Sequence, residues 1–179
     1  MAGLATKVHT HIPLRGASAP VSTVQYGSIT LALGDPSETA TITSVDTTRS
    51  VVMMLGVRTN SANLSRQAYV TLTNATTVTA TAVNPDVSVT IVAHFVVIEF
   101  NGVTALQSGT VTIANAAAGG TAAITSVTVA KSVLVDRGYT AMPGAPSPTD
   151  YLEGLGITNA TTVTATRTGT TGEFIKAFT

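Results

Sequence analysis

The chain writes one β-rich stretch twice. Gln25-Tyr-Gly-Ser-Ile-Thr-Leu31 returns as Gln107-Ser-Gly-Thr-Val-Thr-Ile113, Thr39-Ala-Thr-Ile-Thr-Ser-Val45 as Thr121-Ala-Ala-Ile-Thr-Ser-Val127, and Thr73-Asn-Ala-Thr-Thr-Val-Thr-Ala-Thr81 as Thr158-Asn-Ala-Thr-Thr-Val-Thr-Ala-Thr166. A period of about 82 residues is too long for a solenoid repeat and suits a small β-sandwich, so each copy is expected to be a domain. The expected fold is all-β: two tandem six-stranded antiparallel β-sandwich domains from an internal duplication. Residues 1–22 form an N-terminal arm, 23–100 the first repeat, 101–106 a linker and 107–179 the second repeat.

The comparison of the copies also bears on function. Gly27 matches Gly109, Gly56 matches Gly138, Ile42 matches Ile124, Ser50 matches Ser132, Val51 matches Val133, and Arg49 matches Lys131. These read as turn glycines, core β-branched residues and one surface cation. Acids and histidines do not match: Asp46 faces Thr128, Glu38 faces Gly120, and His94 falls opposite Ala177 when Phe178 is set against Phe95. A catalytic site shared by the copies is therefore not expected. None of the serines sits in a Gly-x-Ser-x-Gly turn, and Gly119-Gly120 is not followed by Lys-Ser/Thr. The chain reads as a non-enzyme without a cofactor.

Charged residues are 10% of the chain and the net charge is zero, which leaves no electrostatic basis for nucleic acid or an anionic membrane as partner. About a fifth of the residues are threonine, a composition suited to pleated strands whose outer faces are polar but uncharged. Such a surface does little to keep copies apart, so self-association is expected. Cysteine is absent, which excludes disulfides and thiolate metal sites. No run resembles a signal peptide or a membrane span, so a soluble protein made in a cytoplasm is expected. The sequons at Asn63, Asn74 and Asn159 are read as coincidence in a threonine-rich chain.

Alternation and turn residues place first-copy strands near 24–33, 39–45, 50–58, 67–73, 77–82 and 87–100. The last of these is apolar on both faces. Val89, Ile91, Ala93, Phe95 and Val97 line one face, and Val92, Val96, Ile98 and Phe100 line the other, with His94 set within the strand. A strand buried twice in so small a sandwich needs a partner outside its own core. Val92, His94, Val96, Ile98 and Phe100 are accordingly the expected oligomer interface. The short connector Asn101-Gly-Val-Thr-Ala105 predicts domains stacked end to end.

Three local features add candidate sites. His9 and His11 in an extended arm point to the same side, and arms meeting on a three-fold axis would ring a transition metal with imidazoles. The second copy carries the extra, proline-rich stretch Ala141–Asp150, a stiff loop suited to recognition. Tyr139 and Tyr151 flank it and, with Asp136, Arg137 and Asp150, make the one plausible ligand constellation. Finally, the second copy stops one residue past its equivalent of Phe95. A neighbouring strand is thus expected to be left partly unpaired there, as a dock for another subunit.

The run Ser108-Gly-Thr-Val-Thr-Ile113, the apolar strand after an Arg/Lys-Ser step, the Asn-Ala-Thr-Thr turn followed by Val-Thr-Ala-Thr, and the closing Ile98-Glu99-Phe100 together resemble two groups. One is the small repeated β-domains of tailed-bacteriophage virion proteins; the other is the H-type lectin sandwich, which assembles as a trimer. The resemblance covers about 155 residues. It implies a virion structural protein, synthesised in the bacterial host cytoplasm, that acts as a capsid decoration, fibre, or tail or neck component. Its partners would be its own copies, as a trimer, and other virion proteins. The alternative it raises is an adhesin that binds a receptor or host surface glycan through the loop 141–150.

Overall fold

The computed structural model of the chain describes residues 9–10, 21–60, 67–82, 89–102, 105–141, 152–169 and 172–179. Threonine and β-branched residues alternate through most of these segments, and the result is all-β. In the first half the strands are β1 (His9–Thr10), β2 (Val21–Leu31), β3 (Ser37–Thr41), β4 (Ser50–Thr59), β5 (Tyr69–Asn74), β6 (Thr77–Thr81) and β7 (Ile91–Phe100). In the second half they are β8 (Gly109–Ile113), β9 (Gly119–Ala123), β10 (Asp136–Ala141), β11 (Leu152–Asn159), β12 (Thr162–Arg167) and β13 (Phe174–Phe178). A single 3-10 turn, Val129–Lys131, is the one helical element among the described residues.

All pairings are antiparallel, and the strands form three sheets: β1-β2-β7-β4, β3-β6-β5-β10-β13-β8 and β11-β12-β9. The six-stranded sheet therefore draws three strands from each half. Two separate sandwiches stacked end to end were expected from the short connector; instead the halves meet along a sheet edge, where β10 pairs with β5 through Gly138 and Tyr69. Within the halves strand order recurs, β2-β7-β4 as β8-β13-β10 and β3-β6-β5 as β9-β12-β11.

Two apolar cores result. The first gathers Ile29, Leu31, Val52, Val70, Val78, Ile91, Phe95 and Val97, and the second gathers Val111, Ile113, Val163, Ala165, Phe174 and Phe178. Alternation explains the selection: in β6, Val78 and Ala80 are buried while Thr77, Thr79 and Thr81 stay half-exposed.

The repeated letters make repeated contacts. Gln25 exchanges two hydrogen bonds with the main chain of Thr43, Nε2 donating to the carbonyl at 2.9 Å and Oε1 accepting from the amide at 2.8 Å. Gln107 does the same with Thr125, at 2.9 and 2.6 Å. At the hairpin tips, Asn74 Oδ1 accepts the amide of Thr76 at 2.9 Å and Asn159 Oδ1 that of Thr161 at 2.9 Å, the Asx turn that lets two strands reverse tightly. The turn at Asp46 recurs at Thr128, where the amide of Lys131 and the hydroxyl of Ser132 donate to the Thr128 carbonyl as Arg49 and Ser50 do to that of Asp46, but only the first half has a carboxyl there. There the Thr48 hydroxyl and then its amide donate to Asp46 Oδ1 and hold that carboxyl below the usual carboxylate range.

The paired glycines were expected in turns, and the structure places all four inside strands. Gly27 sits opposite Phe95 and Gly109 opposite Phe178. The tip of each aromatic ring covers its glycine, so that a Cβ there would come within 2.5 Å of Phe95 Cζ or 2.8 Å of Phe178 Cζ. The same register bears out the alignment of Phe178 with Phe95. Residues 1–22 were expected to form an arm rather than part of a core. β2 in fact begins at Val21, opposite Phe100, and β1 adds two residues to its outer edge.

Candidate functional site

The sequence-predicted interface residues all lie on one face of β7. Its odd-numbered residues, Ile91 to Val97, enter the first core. The even-numbered set, Val92, His94, Val96, Ile98 and Phe100, faces away from it. Cross-strand partners extend this outer face: Val24 and Val51 flank Ile98, Tyr26 and Met53 flank Val96, and Ser28 and Gly56 flank His94. Val96 and Val51 are 2% and 5% exposed yet belong to neither core, while Tyr26 remains 53% exposed. Val92, Ile98 and Phe100 are half-buried and His94 is exposed. Among the described residues of β2, β7 and β4, one end of this face is therefore apolar and uncharged; toward the other end stand His94 and Arg58, the latter opposite Val92.

The sequence-predicted ligand constellation is divided. Asp150 and Tyr151 lie outside the described residues, as does His11; His9 is in β1, opposite Tyr26. Asp136, Arg137 and Tyr139 are near-consecutive on β10 but do different work. Asp136 Oδ1 accepts the amide of Gly138 at 2.7 Å, and Oδ2 accepts from Lys176 Nζ. Tyr139 packs against the second core, its ring 6.1 Å from that of Phe174 and 5.5 Å from Lys176 Nζ.

Arg137 is turned elsewhere by a β-bulge. Asp136 pairs with Phe178 and Tyr139 with Lys176, so Arg137 and Gly138 together oppose Ala177. Gly138 has φ +96°, and a Cβ there would lie 2.6 Å from the Ala68 carbonyl oxygen and 2.9 Å from Met54 Cε. Only glycine fits this conformation and this approach of the two halves. Arg137, 5% exposed, donates from Nη2 to the Gly109 carbonyl at 3.1 Å and from Nη1 toward Thr71 Oγ1 at 3.4 Å. Its Nε has no acceptor, and burial pulls the guanidinium below the ordinary arginine pKa. With Thr71, Ser50, Leu106, Ser108 and Thr179 it lines a crevice of about 170 Å³ between the halves.

A second ionic group lies at the foot of β4. Arg49 Nη2 reaches Glu99 Oε1 at 2.7 Å, and its Nε stands 3.3 Å from Asp46 Oδ2, an ion-pair distance without hydrogen-bond alignment. Glu99 is thereby neutralised on the core side of β7, where it is 6% exposed.

β13 is flanked along its length by β10 and β8, and Thr179 exchanges both main-chain hydrogen bonds with Val135. β8 is paired on that side over Gly109–Ile113, whereas residues 105–108, whose counterparts in β2 lie opposite Glu99 to Val96, are in no strand, which agrees with the expected gap. The terminal strands of the three sheets are β1 and β4, β3 and β8, and β11 and β9.

Among the described residues no three His, Asp or Glu side chains are grouped so as to hold a metal ion, and no helix is long and apolar enough to cross a membrane. Compared with known proteins, the chain matches no family model, no curated protein and no solved structure.

Proposed function

We propose that the chain is a non-enzymatic, self-associating structural protein of a tailed-phage particle, built from two tandem copies of a six-stranded antiparallel sandwich. The recurrence of strand order, of the Gln-to-main-chain clasp and of the ring-over-glycine contact supports the tandem reading. The assignment to a phage particle rests on the resemblance of the repeated segments.

The observation that carries self-association is the outer face of β7. Val24, Ile98, Met53 and Phe100 remain partly exposed around Val96, with Tyr26 beside them, and among the described residues of β2, β7 and β4 no charged side chain interrupts that end. A sheet face of this kind is stable in water when another surface covers it. Low surface charge removes the usual repulsion between copies.

Light scattering on the full chain at micromolar concentration is expected to give three copies per particle. Val92→Lys places an ammonium at the polar margin of the face, where the single chain tolerates it and a covering subunit does not. The variant is expected to melt like the parent and to sediment as a smaller species. A monomeric parent chain that binds glycans would overturn the proposal in favour of the adhesin reading.

A further inference from the structure

The joint between the halves has an unused counterpart on each half. Inside the chain, the bulge of β10 meets the edge of β5 at Gly138 and Tyr69. The repeat sets β4 against β10, with Gly56 for Gly138 and Leu55 for Arg137. It also sets β11 against β5, and the registers agree: Tyr69 pairs with Thr81 and Gly154 with Thr166, equivalent positions on equivalent strands. β4 and β11 are both terminal strands of their sheets.

The bulge is present in both copies. Met54 pairs with Phe95 and Gly56 with His94, so Leu55 is the extra residue, as Arg137 and Gly138 are on β10. On β10 the bulge is covered by the first half. On β4 it is open: Leu55 is 52% exposed, and a Cβ on Gly56 would meet nothing within 4 Å. The receiving strand is open too, since a Cβ on Gly156 would also meet nothing within 4 Å.

The side chains that differ between the copies differ in a matched way. Arg137 donates toward the Thr71 hydroxyl of β5. At the equivalent places stand Leu55 and Gly156, an apolar side chain and a position without one. A polar pair at the joint is thus replaced by an apolar knob and a space at the two unpaired edges.

We propose that β4 of one copy docks on β11 of the next, repeating between chains the joint that β10 and β5 make within one, with Leu55 seated over Gly156. The occupant of each edge is a second copy of this chain. The two surfaces are different patches, so the contact is head-to-tail and closes into a ring or extends as a filament according to its rotation. Main-chain pairing at a bulged edge supplies hydrogen bonds, and the bulge residue supplies register. This inference rests on the proposed self-association and names a surface for it other than the outer face of β7.

The chain has no cysteine, which makes cross-linking a direct test. A variant carrying Leu55→Cys and Gly156→Cys is expected to form disulfides between chains on mild oxidation, giving dimers and higher multiples on a non-reducing gel. A control carrying Leu55→Cys and Leu33→Cys, the latter exposed and on neither proposed surface, is expected to stay single. In parallel, Leu55→Lys is expected to lower the scattering mass at least twofold with an unchanged melting temperature, because Leu55 is exposed in the single chain. An assembled parent whose mass survives Leu55→Lys and whose 55–156 pair does not cross-link would overturn the joint while leaving self-association standing. A parent that is monomeric by light scattering would overturn both.

Discussion

Gln25 carries more of the fold than its polarity suggests. It is completely buried, and its amide does what a neighbouring strand would do for Thr43, taking one main-chain donor and one acceptor. Replacing it with leucine removes both bonds while Thr43, itself exposed, can turn to water. The loss is therefore the net worth of two hydrogen bonds, about 1–2 kcal/mol, rather than the full penalty of orphaned buried groups. Gln107 makes the same clasp in a more exposed setting, so Gln107→Leu is expected to cost less, about 1 kcal/mol or below. Urea melts of the two variants beside the parent check the order; equal losses would mean that burial does not govern the clasp. The sequence carried a signal for this role, because an identical glutamine opens both repeated segments, yet its partner is a loop carbonyl and amide 18 residues on. No local pattern reports a contact of that kind.

Strands were largely legible from alternation. Expected spans of 50–58 and 77–82 became Ser50–Thr59 and Thr77–Thr81. The strand expected to run from 87 to 100 begins at Ile91, with 87 and 88 outside the described residues. Val89 is buried in the first core without being part of the strand, since burial and strand pairing are separate demands on one residue. The glycines were misread for a physical reason: sequence marks a backbone that needs room or positive φ, and turns, bulges and ring-covered strand positions all have that need. The candidate site was legible in part. The two-faced character of β7 followed from its letters, whereas the burial of Arg137 between the halves required knowing which edges meet. β1 gives a prediction at this scale. It contributes two pairs to β2, at Gln25 and Tyr26, and no described residue before Ile29 enters the first core. Deleting residues 1–20 is expected to leave a cooperative melt and to lower stability by about 1 kcal/mol, the worth of one or two edge hydrogen bonds. Loss of the cooperative transition would show that the segment belongs to the core.

At the scale of the molecule, the question is whether the halves unfold together. Each has its own apolar core, and what couples them is the narrow contact around Gly138, Tyr69 and Arg137. Arg137 adds hydrogen bonds to both halves, to Gly109 and toward Thr71, but as a buried cation with an unpartnered Nε it is a specificity device more than a source of stability. Gly138 is the stricter requirement. An alanine there would hold a positive φ at a cost of about 1–2 kcal/mol, and its methyl would press on the Ala68 carbonyl and Met54. Both strains are relieved if β10 parts from β5, a separation that uncovers Ala68 and Met54 at the margin of the first core. The parent chain is therefore expected to melt in a single calorimetric transition and Gly138→Ala in two, one for each core. Gly56→Ala is the matched control, since its Cβ meets open space within a single chain. A single unshifted transition in Gly138→Ala would mean that the halves are held together by something other than the bulge.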